Sequence, residues 1–229
     1  MVLSIFYRIV QFSLFLKHTS RLSFYTVSGM ESLLIVVVIT VLVVVLSSWV
    51  VKEKFSSPLA PVEGVDTDSD FRLKVRVRDG SDKQLSANIL TRLAYRLGKV
   101  VKLYEQKDKH KAQFLVQNWN PTNIEESDPD SDTTSYSLNK GQKLVFCIRH
   151  KGDDTSFVDD NTLTFVGIHE LAHLMTTEVG HTPLFWSNMK TLLDVAVEHN
   201  LYIPENYEAK PKKYCGIEIT SSPLDDSSF

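Results

Sequence analysis

Hydrophobic and polar positions divide the chain into blocks of different period. The first block is Leu33 to Val51, LLIVVVITVLVVVLSSWVV, which carries no charge. As a helix it would reach about 28 Å at 1.5 Å per residue, close to the roughly 30 Å hydrocarbon thickness of a bilayer. Trp49 falls at the interfacial level, and Lys52 and Lys54 follow at the water boundary. The pattern predicts a transmembrane helix over residues 33–51 and a single-pass membrane protein. Residues 1–32 form a segment of uncertain role, with the start at either Met1 or Met30. From Met30 the lysines hold the C-terminal side in the cytosol; from Met1, Lys17 and Arg21 oppose them and the side stays open. Residues 52–70, with two prolines, serines and acids, predict a flexible stalk.

Alternation begins at Phe71. In FRLKVRV, Phe71, Leu73, Val75 and Val77 share one face, and Arg72, Lys74 and Arg76 the other, as in a half-buried strand. From Leu85 to Val101 the period lengthens. Ile89, Leu93 and Leu97 recur every four residues, which predicts a helix with one buried face. Ala112 to Trp119, AQFLVQNW, reads as a second strand, followed by a polar, turn-rich connection. Gln142 to His150, QKLVFCIRH, reads as a third strand. Its residues Leu144, Val145 and Phe146 are expected at an exposed edge, able to pair with an extended peptide. The elements sum to an α+β domain over 71–207, a few-stranded mixed sheet with one site-bearing helix, and a C-terminal tail over 208–229 with a mobile end.

Composition narrows the function classes. With 43% hydrophobic and 23% charged residues in 229, the chain is globular. A net charge of -3 supplies no basic field, so no nucleic-acid partner is expected. Two cysteines, Cys147 and Cys215, exclude a disulfide framework and a CxxC zinc knuckle. Pattern alone leaves open whether they pair. The acids between Asn120 and Gly141 lack the spacing of an EF-hand, and His150 stands alone at a strand end.

The chemistry concentrates in HELAHLMTTEVGHTPLFW, His169 to Trp186. Asp160 or Asn161 can cap a helix starting near Thr162. With His169 at zero, His173 lies at about 40° and Glu170 at about 100°, while Ile168, Leu171 and Met175 lie opposite at about 200–260°. An apolar back thus anchors a front on which two imidazoles stack one turn apart. Two such histidines suit a zinc ion, with Glu170 beside a zinc-bound water as general base. Catalytic zinc takes a third protein ligand. Glu178, Asp194 and Glu198 are candidates. His181 is favoured because Gly180 can end the helix in a left-handed turn, while Thr182 and Pro183 can start the next one.

HELAH, a short turn, GH and TPLFW together resemble the zinc-protease core of the WLM and SprT-like metallopeptidases. The wider stretch from Tyr136 to Ile219 resembles WLM-like metallopeptidases of large DNA viruses and some algae. One departure is the seven-residue gap between His173 and His181, longer than is usual in WLM proteins and shorter than in SprT. The resemblance implies a small zincin-like, minigluzincin-type fold that binds Zn²⁺ through His169, His173 and His181. It implies hydrolysis of protein or peptide substrates; the apolar run at residues 33–51, outside the resemblance, sets the domain on a membrane, host or viral. Tyr214 and Tyr202 are candidate transition-state stabilisers. The alternative is an inactive zinc-binding or structural membrane protein that displays an interaction domain. Substrate, oligomeric state and activation are not legible.

Overall fold

The computed structural model describes residues 29–55, 58–151 and 156–225, so the readings for residues 1–28 lie outside it. The chain divides into two compact units, Met1–Ser56 and Ser57–Phe229. In the first, helix α1 spans Gly29–Phe55. Its side chains are described over residues 34–47 and are exposed. Among the described residues no helix is long and apolar enough to cross a membrane. This overturns the expected span at residues 33–51 and the membrane localisation built on it.

The second unit opens with strands β1 (Leu59–Asp66) and β2 (Phe71–Arg78). They pair antiparallel with Val62 opposite Val75. The expected stalk is therefore structured from Leu59 onward. Its acids do not prevent pairing, because Glu63 faces Lys74 across the ladder. Alternation in β2 buries Val75 and Val77 and exposes Arg72, Lys74 and Arg76. Helix α2 (Lys83–Lys107) buries Ile89, Leu90, Leu93, Leu97 and Val100 along one stripe. Asp108 ends it and at once caps helix α3 (Lys109–Asn118), accepting the Lys111 N–H at 3.0 Å. The expected strand at Ala112 to Trp119 is this helix. Ala112 and Leu115, three apart, are its buried pair, whereas Val116 faces out, so the true period is helical.

Three short strands complete the sheet: β3 (Ile124–Glu126), β4 (Tyr136–Leu138) and β5 (Lys143–Phe146). β3 runs parallel to β2 and to β5, and β4 is antiparallel to β5. Among the described residues the order is β1-β2-β3-β5-β4. β5 is thus interior, with Leu144, Val145 and Phe146 buried. It is not the exposed edge expected from the sequence; β4 covers that side and is itself the edge. The buried Glu126 carboxylate ties the strands together. It accepts from the Arg78 backbone N–H and the Arg149 guanidinium, both at 2.9 Å.

Helix α4 (Asp160–Met175) lies against α2. Its cap is Asp159, one residue earlier than expected, which accepts the Thr162 N–H at 2.9 Å. Asp160 instead receives Arg92 of α2 at 2.9 Å. Gly167 lets the two helices close up, since a Cβ there would stand 2.8 Å from Leu97 Cδ2. Helix α5 (Pro183–Glu198) follows. The segment expected as a tail folds into a hairpin of β6 (Lys212–Tyr214) and β7 (Ile217–Ile219). A disulfide from Cys147, just past β5, to Cys215 in the turn of this hairpin anchors it to the sheet.

Candidate metal centre

Helix α4 carries His169 and His173 on one face, one turn apart, with ring centroids 5.0 Å from each other. The apolar back, Ile168, Leu171 and Met175, is buried. The helix stops at Met175, with the Thr176 N–H bonded to Ala172 O. Residues 177–181 then turn back without regular structure. Gly180 has φ +88°, a left-handed conformation in which any side chain would be strained. That reversal delivers His181 to the other two. Thr182 caps α5, accepting the Phe185 N–H at 3.3 Å, with Pro183 as its first residue.

The three imidazoles converge. His169 Nε2 and His181 Nε2 lie 3.1 Å apart, and one ligand atom from each of His169, His173 and His181 falls within 4.8 Å of the others. Nitrogens sharing a tetrahedral zinc at its usual bond length would be separated by roughly 3.3 Å. Phe185 of α5, fully buried, forms a floor beneath them, with centroid distances of 4.9, 4.4 and 4.7 Å to His169, His173 and His181. Burial, then the neighbouring imidazoles, hold His169 down to about 3 and His173, by burial and His181 first, down to about 4. Both rings are therefore neutral near pH 7, with a lone pair available to a cation.

Glu170 stands next to this group and is 3% exposed. Burial raises its carboxyl to about 7, against the Ser137 hydroxyl and N–H, which favour the charged form. Its Oε2 is buried with no hydrogen-bond partner among the described residues. A buried oxygen left unpartnered is costly unless a ligand or water meets it. The rival third ligands lie elsewhere. Glu178 is exposed beyond the helix end, Asp194 is exposed on α5, and Glu198 pairs with Lys107 at 3.1 Å.

A family model, the WLM domain, matches residues 72–223. The chain belongs to the WLM family. That family is metallopeptidase-like. Among curated proteins, this WLM chain is 35% identical over 100 residues to an uncharacterized protein of Acanthamoeba polyphaga mimivirus, covering 43% of the chain and 50% of the relative. It is 42% identical over 84 residues to an uncharacterized protein of Invertebrate iridescent virus 6, covering 35% and 44%. The chain thus spans about half the length of the curated relatives it matches. Among solved structures it is similar to Wss1 from Saccharomyces cerevisiae, with TM-score 0.42, 21% identity, and coverage of 55% of this chain and 91% of that one.

The WLM match runs past residue 207 and takes in the β6–β7 hairpin. Tyr214 of that hairpin lines one recess together with His169 and Glu170. Its hydroxyl is bonded to the Ser135 hydroxyl, and burial pushes it well above the usual tyrosine range. Tyr202 is elsewhere. It is buried, donates to the Tyr207 hydroxyl at 3.1 Å and packs on Phe165, so it serves the core of the WLM domain. Two residues at the site went unread in the sequence. One is Ser137, on edge strand β4, facing Glu170. The other is Lys140. Its ammonium donates to the carbonyls of His173, Thr176 and Glu178 at 3.2, 2.5 and 2.8 Å. It therefore clamps the end of α4 and the segment that leads to His181.

Proposed function

We propose that this chain is a zinc-dependent metallopeptidase that cuts protein or peptide substrates. One observation carries the reading: three imidazoles converge beside a buried glutamate oxygen that has no partner within the described protein. The donor set fits zinc, being all nitrogen, tripodal and at one-ion spacing. His169, His173 and His181 would hold the ion. A zinc ion held there would supply Lewis-acid polarisation of a carbonyl and lower the pKa of water to about 7.

The remaining roles belong to this chain's own residues. Glu170 Oε2 takes a proton from the attacking water as the new C–O bond forms. It then passes that proton to the amine as the C–N bond breaks. Ser137 orients the carboxylate from the β4 side. β4 is the edge strand, so an extended substrate backbone can add to it as a further strand. Tyr214 is suited to hold the developing oxyanion. Ser135 Oγ already accepts the Cys147 N–H at 3.0 Å, which leaves its own proton for the Tyr214 oxygen. The Tyr214 hydroxyl proton is then free to turn toward substrate.

The test is peptide hydrolysis by the purified chain through a cycle of metal removal. Activity is expected to vanish with a chelator and to return with one equivalent of zinc but not with magnesium. Hydrolysis that survives complete removal of zinc would refute the proposal.

A further inference from the structure

His169 and Glu170 stand where two recesses meet. One, of about 760 Å³, is bordered by β4 and by the Val179–His181 segment. The other, of about 280 Å³, shares Thr134, Ser135 and Ile217 with it as well as these two residues. The two differ in their walls. The larger is lined by Ser137, Asn139 and Lys140 and also by Tyr136 and Val179. The smaller is walled by Phe165, Val166, Trp186, Met189, Tyr214 and Ile219. Phe165 and Val166 come from α4, one turn before the ligand histidines, and Trp186 and Met189 from α5. Phe165, Val166, Met189 and Tyr214 are buried, so the wall is built into the core.

A substrate strand lying along β4 passes the metal group and presents its next side chains to this recess. A large apolar side chain would exchange water for these walls, at the usual gain for buried apolar area. A carboxylate would meet Glu170 and the Glu218 side of the recess with no cation lining it. An ammonium or guanidinium could reach Glu218, but that acid is exposed and the pairing is screened by water, while the rest of the wall is aromatic and aliphatic carbon that desolvates the charge. We propose that the smaller recess is a substrate side-chain subsite, which directs cleavage to bonds flanked on one fixed side by leucine, methionine or phenylalanine. The inference rests on the peptidase reading above and adds its substrate class.

The test uses the full chain, zinc-loaded, on a degenerate peptide library with cut sites read by mass spectrometry. Cuts should cluster at bonds with a large apolar residue on one fixed side. In single peptides, leucine to alanine at that position should lower kcat/KM roughly 10- to 100-fold, the usual range for apolar pocket discrimination. Aspartate or lysine there should lower it further. Val166→Phe fills the recess and should bring the leucine-over-alanine ratio to near one. Val166→Ala enlarges it and should shift preference from leucine toward phenylalanine, which keeps the test informative if the larger side chain disturbs folding. Cleavage with no apolar preference, with a preference for lysine or arginine, or with a preference that both variants leave unchanged overturns the subsite alone. If the zinc-loaded chain cuts no peptide, the peptidase reading falls and the subsite falls with it.

Discussion

Lys140→Met removes the ammonium that joins the turn after β4 to the histidine-bearing segment. Three carbonyl oxygens lose a donor: His173 and Thr176 at the end of α4, and Glu178 on the way to His181. Hydrogen bonds to a charged group contribute about 1.5–3 kcal/mol each when fully protected. Lys140 is only half-buried, and water can replace part of the set, so the total loss should be about 2 kcal/mol. In a domain of this size that lowers Tm by about 4–8 °C. The more specific effect is on metal binding. His173 and His181 flank the clamped stretch, so loosening it leaves ordering to be done when the ion binds. Zinc affinity should weaken roughly tenfold, the lower end of what supporting partners of metal ligands contribute. Lys140→Arg keeps the charge but replaces three rotatable donors at one nitrogen with a planar fork, and should recover only part of the loss. Thermal melting of the metal-free chain and competition for zinc against a chelator of known affinity separate the two effects. A lowered Tm with unchanged zinc affinity would refute the positioning role, and wild-type values for both would refute the clamp itself.

Two other perturbations follow from the scaffold. Asp159→Ala removes the cap of α4 and should cost about 1 kcal/mol in denaturant unfolding at pH 7. The Thr162 backbone and hydroxyl hold the Asp159 carboxyl below its ordinary value of 3.8 despite partial burial. Its contribution is therefore complete above that value and is lost as pH falls through the lower folded one, so wild type and variant should converge in stability only in strong acid. Convergence already near neutral pH would contradict the assignment. Cys147→Ser opens a bridge between residues 68 apart, worth about 4 kcal/mol by the loop-entropy relation. The oxidised wild type should lose a similar amount of unfolding free energy on reduction with dithiothreitol, and an equal Tm with and without reductant would show that the bridge does not form.

The site was far more legible than the frame around it. His169, Glu170 and His173 declare themselves because helical period fixes their relative directions whatever packs behind them. His181 is legible through its neighbours, since glycine, then threonine and proline, dictate one helix end and the next start. The strand that faces Glu170 is not. Tyr136–Leu138 sits in a polar run, and it is a strand only because Tyr136 pairs with Val145. Without β4, the apolar run at Leu144 to Phe146 looks like an edge; with it, the same run is interior. The reading of α3 as a strand has a similar cause, because its short apolar run allows either period until Ala112 and Leu115 find their common face. Lys140 could not be read at all. It lies in a turn where Asn139, Lys140 and Gly141 all have positive φ, and only that turn swings the ammonium onto α4. The pairing of Cys147 with Cys215 likewise depends on where the hairpin folds back. The apolar run at residues 33–51 did predict a helix, and α1 is one. Its membrane role was an inference from length and apolarity that the described residues do not support.

The central claim is that Glu170 moves the proton at a metal site built by the three histidines. Glu170→Gln tests it most directly, because the amide keeps the shape and leaves His169, His173 and His181 in place. Wild type and variant should each hold one zinc per chain, and the variant should hydrolyse peptide roughly 10²- to 10⁴-fold more slowly, the range supplied by a general base. Equal rates from equally zinc-loaded proteins would contradict the account.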